Sequence, residues 1–112
     1  MKFVKWHFRN NKRRKQLGIR KGKHPSLVFA KSDDEMRFYN LGLTHSRKRG
    51  HHKNIEIHNP QNWEEVSYIR NDISVDDKQV FSGVLNNYRL HPNDYGKIWN
   101  VIVKKKIKNL FH

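Results

Sequence analysis

The chain has no cysteine among its 112 residues. That excludes disulfides, thiolate nucleophiles and cysteine-ligated zinc together, and leaves stability to packing. Acids are scarce as well: ten Asp and Glu stand against 24 Lys and Arg, a formal charge of +14, and none precedes Asp33. Long apolar runs are missing too. No stretch approaches the ~20 apolar residues of a membrane-spanning helix, and Met1 to Phe8 alternates charge with aromatics instead of opening an apolar signal region. Neither a span nor a secretory signal is expected, which implies a cytoplasmic protein. A chain this short supports one hydrophobic core, so a single domain over 1–112 is expected.

What is there is cationic charge, concentrated at the start. Lys2, Lys5, Arg9, Lys12, Arg13, Arg14, Lys15, Arg20, Lys21, Lys23 and Lys31 repel one another without any acid among them before Asp33, so a polyanion is the expected partner. An acidic membrane would ask for an apolar helical face between the charges. Asn10 to Lys15 offers none, and nucleic acid is the better fit.

Along the chain, Val4, Trp6 and Phe8 alternate with Lys5 and His7, the period of a strand. Residues 10–23 are polar and basic with Gly18 and Gly22 and no sustained period, which predicts a flexible loop. Pro25 to Lys31 carries the apolar run Leu27, Val28, Phe29; Ser32, Asp33 and Asp34 supply turn chemistry; Met36 to Leu43 resumes. Together they predict a central β-hairpin. Thr44 to Lys53 reads as a second cationic loop. Ile55 and Ile57 mark a fourth strand and Val66 to Arg70 a fifth, while Asn71 to Asp77 reads as an exposed acidic turn. Phe81, Val84, Leu85 and Tyr88 have helical spacing, limited by Gly83 and the Asn86, Asn87 pair.

The end of the chain carries the clearest local signal. His91 as N-cap, Pro92 at the first helical position and Asp94 in the first turn start a helix, with Leu90 and Tyr95 expected to staple its entry. Ile98, Val101, Ile102, Ile107 and Leu110 form its apolar face, and Lys104, Lys105, Lys106 and Lys108 load its last turns. Strands in series followed by one helix predict a mainly β protein with a C-terminal helix, built as a small antiparallel barrel.

Of eight histidines, only His51, His52 and His58 cluster locally. Adjacent histidines on a strand face opposite ways, and no His-Glu-x-x-His pattern exists, so no metal and no cofactor are expected. Metal-free cleavage of RNA needs a proton carrier near the phosphodiester and cations for the charge on its oxygens, with the 2′-hydroxyl as internal nucleophile. Histidine can be the carrier, and His24, Thr44 and His45 stand at strand ends facing the basic loops. The plain alternative makes them ordinary polar loop residues. Of the tryptophans, Trp6 and Trp99 read as core, and Trp63, between Asn62 and Glu64 in a loop, as an exposed platform for an unpaired base.

The order of segments resembles the PemK/MazF family of toxin endoribonucleases. Gly22, Lys23, His24, Pro25, Ser26, Leu27, Val28 and Phe29 look like that family's Gly-x-Arg-Pro opening of an early strand; Leu41, Gly42, Leu43, Thr44, His45 and Ser46 are similar to its Thr-Ser element; Ile73 to Lys78 resembles its Ile-Arg-Thr-Ile-Asp-Lys element. His24 and Ser74 occupy positions where the family has arginine. The resemblance spans about residues 20–110 and implies an SH3-like antiparallel barrel, a homodimer, and an acidic antitoxin as protein partner. It also implies a metal-independent endoribonuclease with His24, Thr44 and Ser46 as its catalytic group. Lys12, Arg13, Arg14, Lys15 and Arg20 of the first basic loop, and Arg47, Lys48, Arg49, His51 and Lys53 of the second, would grip RNA, preferably single-stranded. Two other readings use the same cations. One is a non-catalytic small barrel binding nucleic acid or a ribonucleoprotein, of the kind a mobile element encodes; the other is recognition of an acidic protein.

Overall fold

The computed structural model describes residues 2–10, 24–49 and 52–110, with side chains for 6–10, 24–48 and 53–104. The predicted loop around 10–23 lies outside the described residues beyond Asn10. The chain is mainly antiparallel β-sheet followed by one C-terminal helix. Strand β1 (Lys2–Asn10) pairs with β2 (Pro25–Lys31), and β2 with β3 (Arg37–Thr44). A hairpin of β6 (Ile55–Asn59) and β7 (Asn62–Ile69) follows a short ribbon of β4 (Lys48–Arg49) and β5 (His52–Lys53). β8 (Ser74–Asp77) is the last strand.

β3 is the centre of the sheet, whose order is β1-β2-β3-β7-β6. It serves two partners in turn: β8 lies along Arg37 to Asn40, and β7 takes over at Leu43 and Thr44. The path does not close, since the end strands β1 and β6 are not bonded to each other among the described residues.

The apolar run in β2 is continuous because the strand is covered on both faces. Leu27 and Phe29 join Phe8, Leu41, Leu43, Ile57 and Ile69 under Ile98 and Ile102 of helix α1 (Tyr95–Leu110). Val28 turns the other way, onto Phe38, Val80 and Phe81. Burying each large side chain of this kind contributes roughly 1.5–3 kcal/mol.

Three elements depart from the sequence reading. Ser74–Asp77, expected as an acidic turn, is strand β8. Asp77 faces Arg37 across the ladder, an opposite-charge pair, and the buried Asn40 side chain donates to Phe38 O, Ser74 O and Asp76 Oδ2 at 3.3, 3.2 and 3.0 Å. The helix expected over 81–88 does not form. After a 3₁₀ turn (Lys78–Val80), the chain runs along the outer edge of β1, where Ser82 N donates to Asn10 O at 2.7 Å and Leu85 N to Phe8 O at 2.9 Å. Pairing with an open strand edge outweighs a helical spacing that Gly83 and two asparagines already weaken. Finally, Trp99 is 57% exposed and not core.

The C-terminal start signal works through a 3₁₀ turn (Pro92–Asp94) that leads into α1. His91 is its N-cap, its Nδ1 accepting from Asn93 N at 3.0 Å. The expected staple is different in form. Leu90 is buried, but Tyr95 is largely exposed and sets its ring edge-on to Trp6.

Candidate nucleic-acid interface

β3 leaves the sheet at Thr44, and the turn there is built from its own side chain. Thr44 Oγ1 accepts from Ser46 N at 3.1 Å, while Ser67 Oγ donates to Thr44 O at 3.2 Å. Asn54 then clamps the loop that follows, its Nδ2 donating to Ser46 O at 2.8 Å and its N to Arg47 O at 3.0 Å. The clamp brings the far end of the loop back, and the expected open loop becomes the β4–β5 ribbon.

In that ribbon Lys48 faces Lys53 and Arg49 faces His52. Like charges directly opposite destabilise a strand pair, and an isolated two-stranded ribbon is marginal on its own. Arg47, Lys48 and Lys53 are exposed, and none forms an ion pair among the described residues. An anion between the facing cations turns the repulsion into attraction.

The ribbon adjoins the sheet end where His24 sits. Ser26 pairs with Gly42, and His24 stands just before β2 at the end of the sheet that β3 leaves through Thr44. Thr44 in turn faces Tyr68 of β7. Arg70 is a cation of this end that the sequence reading passed over: its N donates to Gly42 O at 2.9 Å, and its aliphatic stem lies across Gly42, where a Cβ would stand 3.2 Å from Arg70 Cδ. His24 is exposed, and its ring has no hydrogen bond among the described residues.

Thr44, Ser46, Arg47, Lys48, Arg49 and Lys53 therefore belong to one local unit. His24 stands at the same end of the sheet, and Arg49 is placed by its backbone alone. Lys12, Arg13, Arg14, Lys15, Arg20 and His51 lie outside the described residues. Arg9, in contrast, is held inside the fold. Its guanidinium sits 5.0 Å from the Phe38 ring centroid and donates to Ser82 O at 3.4 Å, and burial lowers its pKa from the ordinary value.

A second polar assembly was not foreseen. Asp94 is fully buried, and its Oδ2 accepts from His58 N at 2.8 Å and lies 3.0 Å from His58 Nδ1. An ionised carboxylate can only accept, so opposite Asp94 in that form the His58 Nδ1 is the donor. His58 stacks on His91 with centroids 3.9 Å apart, and His91 meets Trp63 edge-on at 4.5 Å. Lys97 Nζ reaches Glu56 O at 3.1 Å and lies 3.7 Å from Asp94 Oδ1. The only trace of this in the sequence is Asp94 itself, where a carboxylate at a helix start looks like a cap. His58, grouped in the sequence with His51 and His52, instead goes to Asp94.

Trp63 is in β7, not in a loop, and is 42% exposed. Its Nε1 donates to Arg89 O at 3.1 Å, and Arg89 N donates to Pro60 O at 2.9 Å. Between these two ties lies an open depression of about 410 Å³.

Among the described residues, no group of three His, Asp or Glu side chains could hold a metal ion, and no helix is long and apolar enough to cross a membrane. Comparison of the chain with protein-family models, curated proteins and solved structures finds no significant match.

Proposed function

We propose that this chain is a cytoplasmic RNA-binding protein that cleaves single-stranded RNA without metal, an endoribonuclease of the toxin–antitoxin type. The observation that carries the binding half is the β4–β5 ribbon, where Lys48 faces Lys53 and Arg49 faces His52 beside an Arg47 that is unpaired among the described residues. A phosphodiester chain laid across it neutralises cations that otherwise repel. The resemblance to the PemK/MazF family supports the catalytic half, because the segments that carry it, around His24 and Thr44 to Ser46, meet at the same end of the sheet. β3 exchanging β8 for β7 along one edge is how strands turn a corner in small barrels, which supports the SH3-like form. An acidic antitoxin suits the same cationic surface.

In this reading Ser46 and Thr44 hold the phosphate, and Arg47, Lys48, Arg49, Lys53 and Arg70 balance its charge. The 2′-oxygen bonds to phosphorus as its proton passes to His24, and the bond from phosphorus to O5′ breaks. Water supplies the proton that O5′ takes up. The products are a 2′,3′-cyclic phosphate and a free 5′-hydroxyl.

The test is incubation with single-stranded RNA in EDTA. Cyclic-phosphate ends should form, and His24→Ala should slow their formation by roughly a hundredfold or more, the usual worth of a general base. Equal cleavage by His24→Ala would remove His24 from the reaction. A second reading, the non-catalytic small barrel, has its own support: among the described residues no neighbour orients the His24 ring, and a working base is normally aligned by a third group. Salt-sensitive binding with intact RNA would establish that reading, and no binding at low salt would end both.

A further inference from the structure

The depression beside Trp63 has the chemistry of a nucleobase site, and we propose that it takes an unpaired guanine. This rests on the RNA-binding reading but uses different residues. The platform is fixed before any ligand arrives. Trp63 is tied through Nε1 to Arg89 O, and it is backed by His91, which His58 and the buried Asp94 hold in turn. A rigid, half-exposed indole gives a base a stacking face at little ordering cost.

The rim is polar in a particular way. Gln61, Glu64, Asn86, Asn87 and Arg89 contribute to the lining, and their side chains make no hydrogen bond or ion pair among the described residues. Glu64 and Arg89 share this small site without pairing with each other. A carboxylate accepts two adjacent donors, and among the four RNA bases only guanine presents such a pair, N1–H and the N2 amino group. An arginine fork donates to two adjacent acceptors, and guanine O6 and N7 are that pair. Adenine, cytosine and uracil each leave one of these two charged groups without its full complement, which is where discrimination arises. Acids are rare in this chain, so a glutamate that lines a depression of a +14 protein and has no partner among the described residues is the feature a phosphate-only site would lack.

The experiment follows the indole N–H resonance of Trp63, assigned by its loss in Trp63→Phe, while GMP, dGMP, AMP, CMP, UMP and inorganic phosphate are added separately. GMP and dGMP should shift it, with GMP binding about tenfold more tightly than AMP, CMP or UMP, the scale of one bidentate base contact. Glu64→Gln should remove that preference while the resonance itself persists. Equal shifts by all four ribonucleotides, or by phosphate alone, would overturn the assignment.

Oligomers then separate the sources and the two proposals. A short single-stranded RNA containing guanosine should move the resonance, and one lacking it should bind the protein without doing so. If RNA binds with salt sensitivity but no nucleotide moves Trp63, the pocket is wrong and the RNA reading survives. If GMP binds and RNA does not, the reverse holds.

Discussion

Glu35 is the one non-glycine residue with a positive φ among those described, at 62°. Its place is set by the turn around it. Ser32 Oγ donates to Asp34 Oδ1 at 2.6 Å, Met36 N donates to the same oxygen at 3.0 Å, and Ser32 N closes the loop onto Arg37 O at 2.9 Å. The Ser-Asp chemistry of that turn was legible in the sequence. The left-handed residue was not, because glutamate has no intrinsic preference for that region. Lys31 Nζ bonds Glu35 Oε1 at 2.8 Å and, as first cause, holds the Glu35 carboxyl below its ordinary pKa. A depressed folded pKa means that the pair stabilises the fold above the unfolded carboxylate's pKa, and that this is lost as pH falls through the folded value. Glu35→Gly should therefore raise the melting temperature by a few degrees at a pH below the folded carboxyl's pKa, where the pair is lost and the relieved backbone counts. Near pH 7 the missing pair should narrow that gap. Thermal scans at both pH values check this, and a variant less stable than the parent at low pH would refute it.

At the scale of elements, what the sequence made readable was local. The run in β2, the alternation in β1 and the His91-Pro92 start of the last helix all carry their signal within a few residues. What stayed hidden was non-local. β8 exists because Arg37 and Asn40 of β3 receive it, and the 82–85 segment is extended because β1 had an edge to offer. Asp94 and His58 stand 36 residues apart. That junction fastens the 3₁₀ turn before α1 to β6, and Lys97 of α1 adds its bond to Glu56 O. Asp94→Ala strips the acceptor from the His58 backbone N–H and from its ring, so it should cost about 1–3 kcal/mol in urea unfolding. Asp94→Asn keeps an oxygen for the N–H and should cost less. His58→Ala should also cost less than Asp94→Ala, since the carboxylate keeps the backbone N–H. An Asp94→Ala midpoint equal to the parent's would show that the junction holds nothing.

At the scale of the whole molecule, the excess of +14 decides how the protein meets its partner. A polyanion sheds condensed counterions as it binds, and for single strands the logarithm of affinity falls with the logarithm of salt by about 0.7 per phosphate neutralised. That slope counts contacts, so it can ask where the working cations are. If the ribbon is the gripping surface, replacing Arg47, Lys48 and Lys53 together with Ala should flatten the slope by about 2. Replacing Lys31, which is already engaged by Glu35, should leave it nearly unchanged. The two variants remove charge from opposite ends of β2 and β3, at the loop after Thr44 and at the turn after Lys31. A field spread evenly over the molecule would respond to each in proportion to the charge removed. A parallel loss per cation in both variants would therefore locate binding in net charge, and a loss confined to the triple variant would locate it in the ribbon.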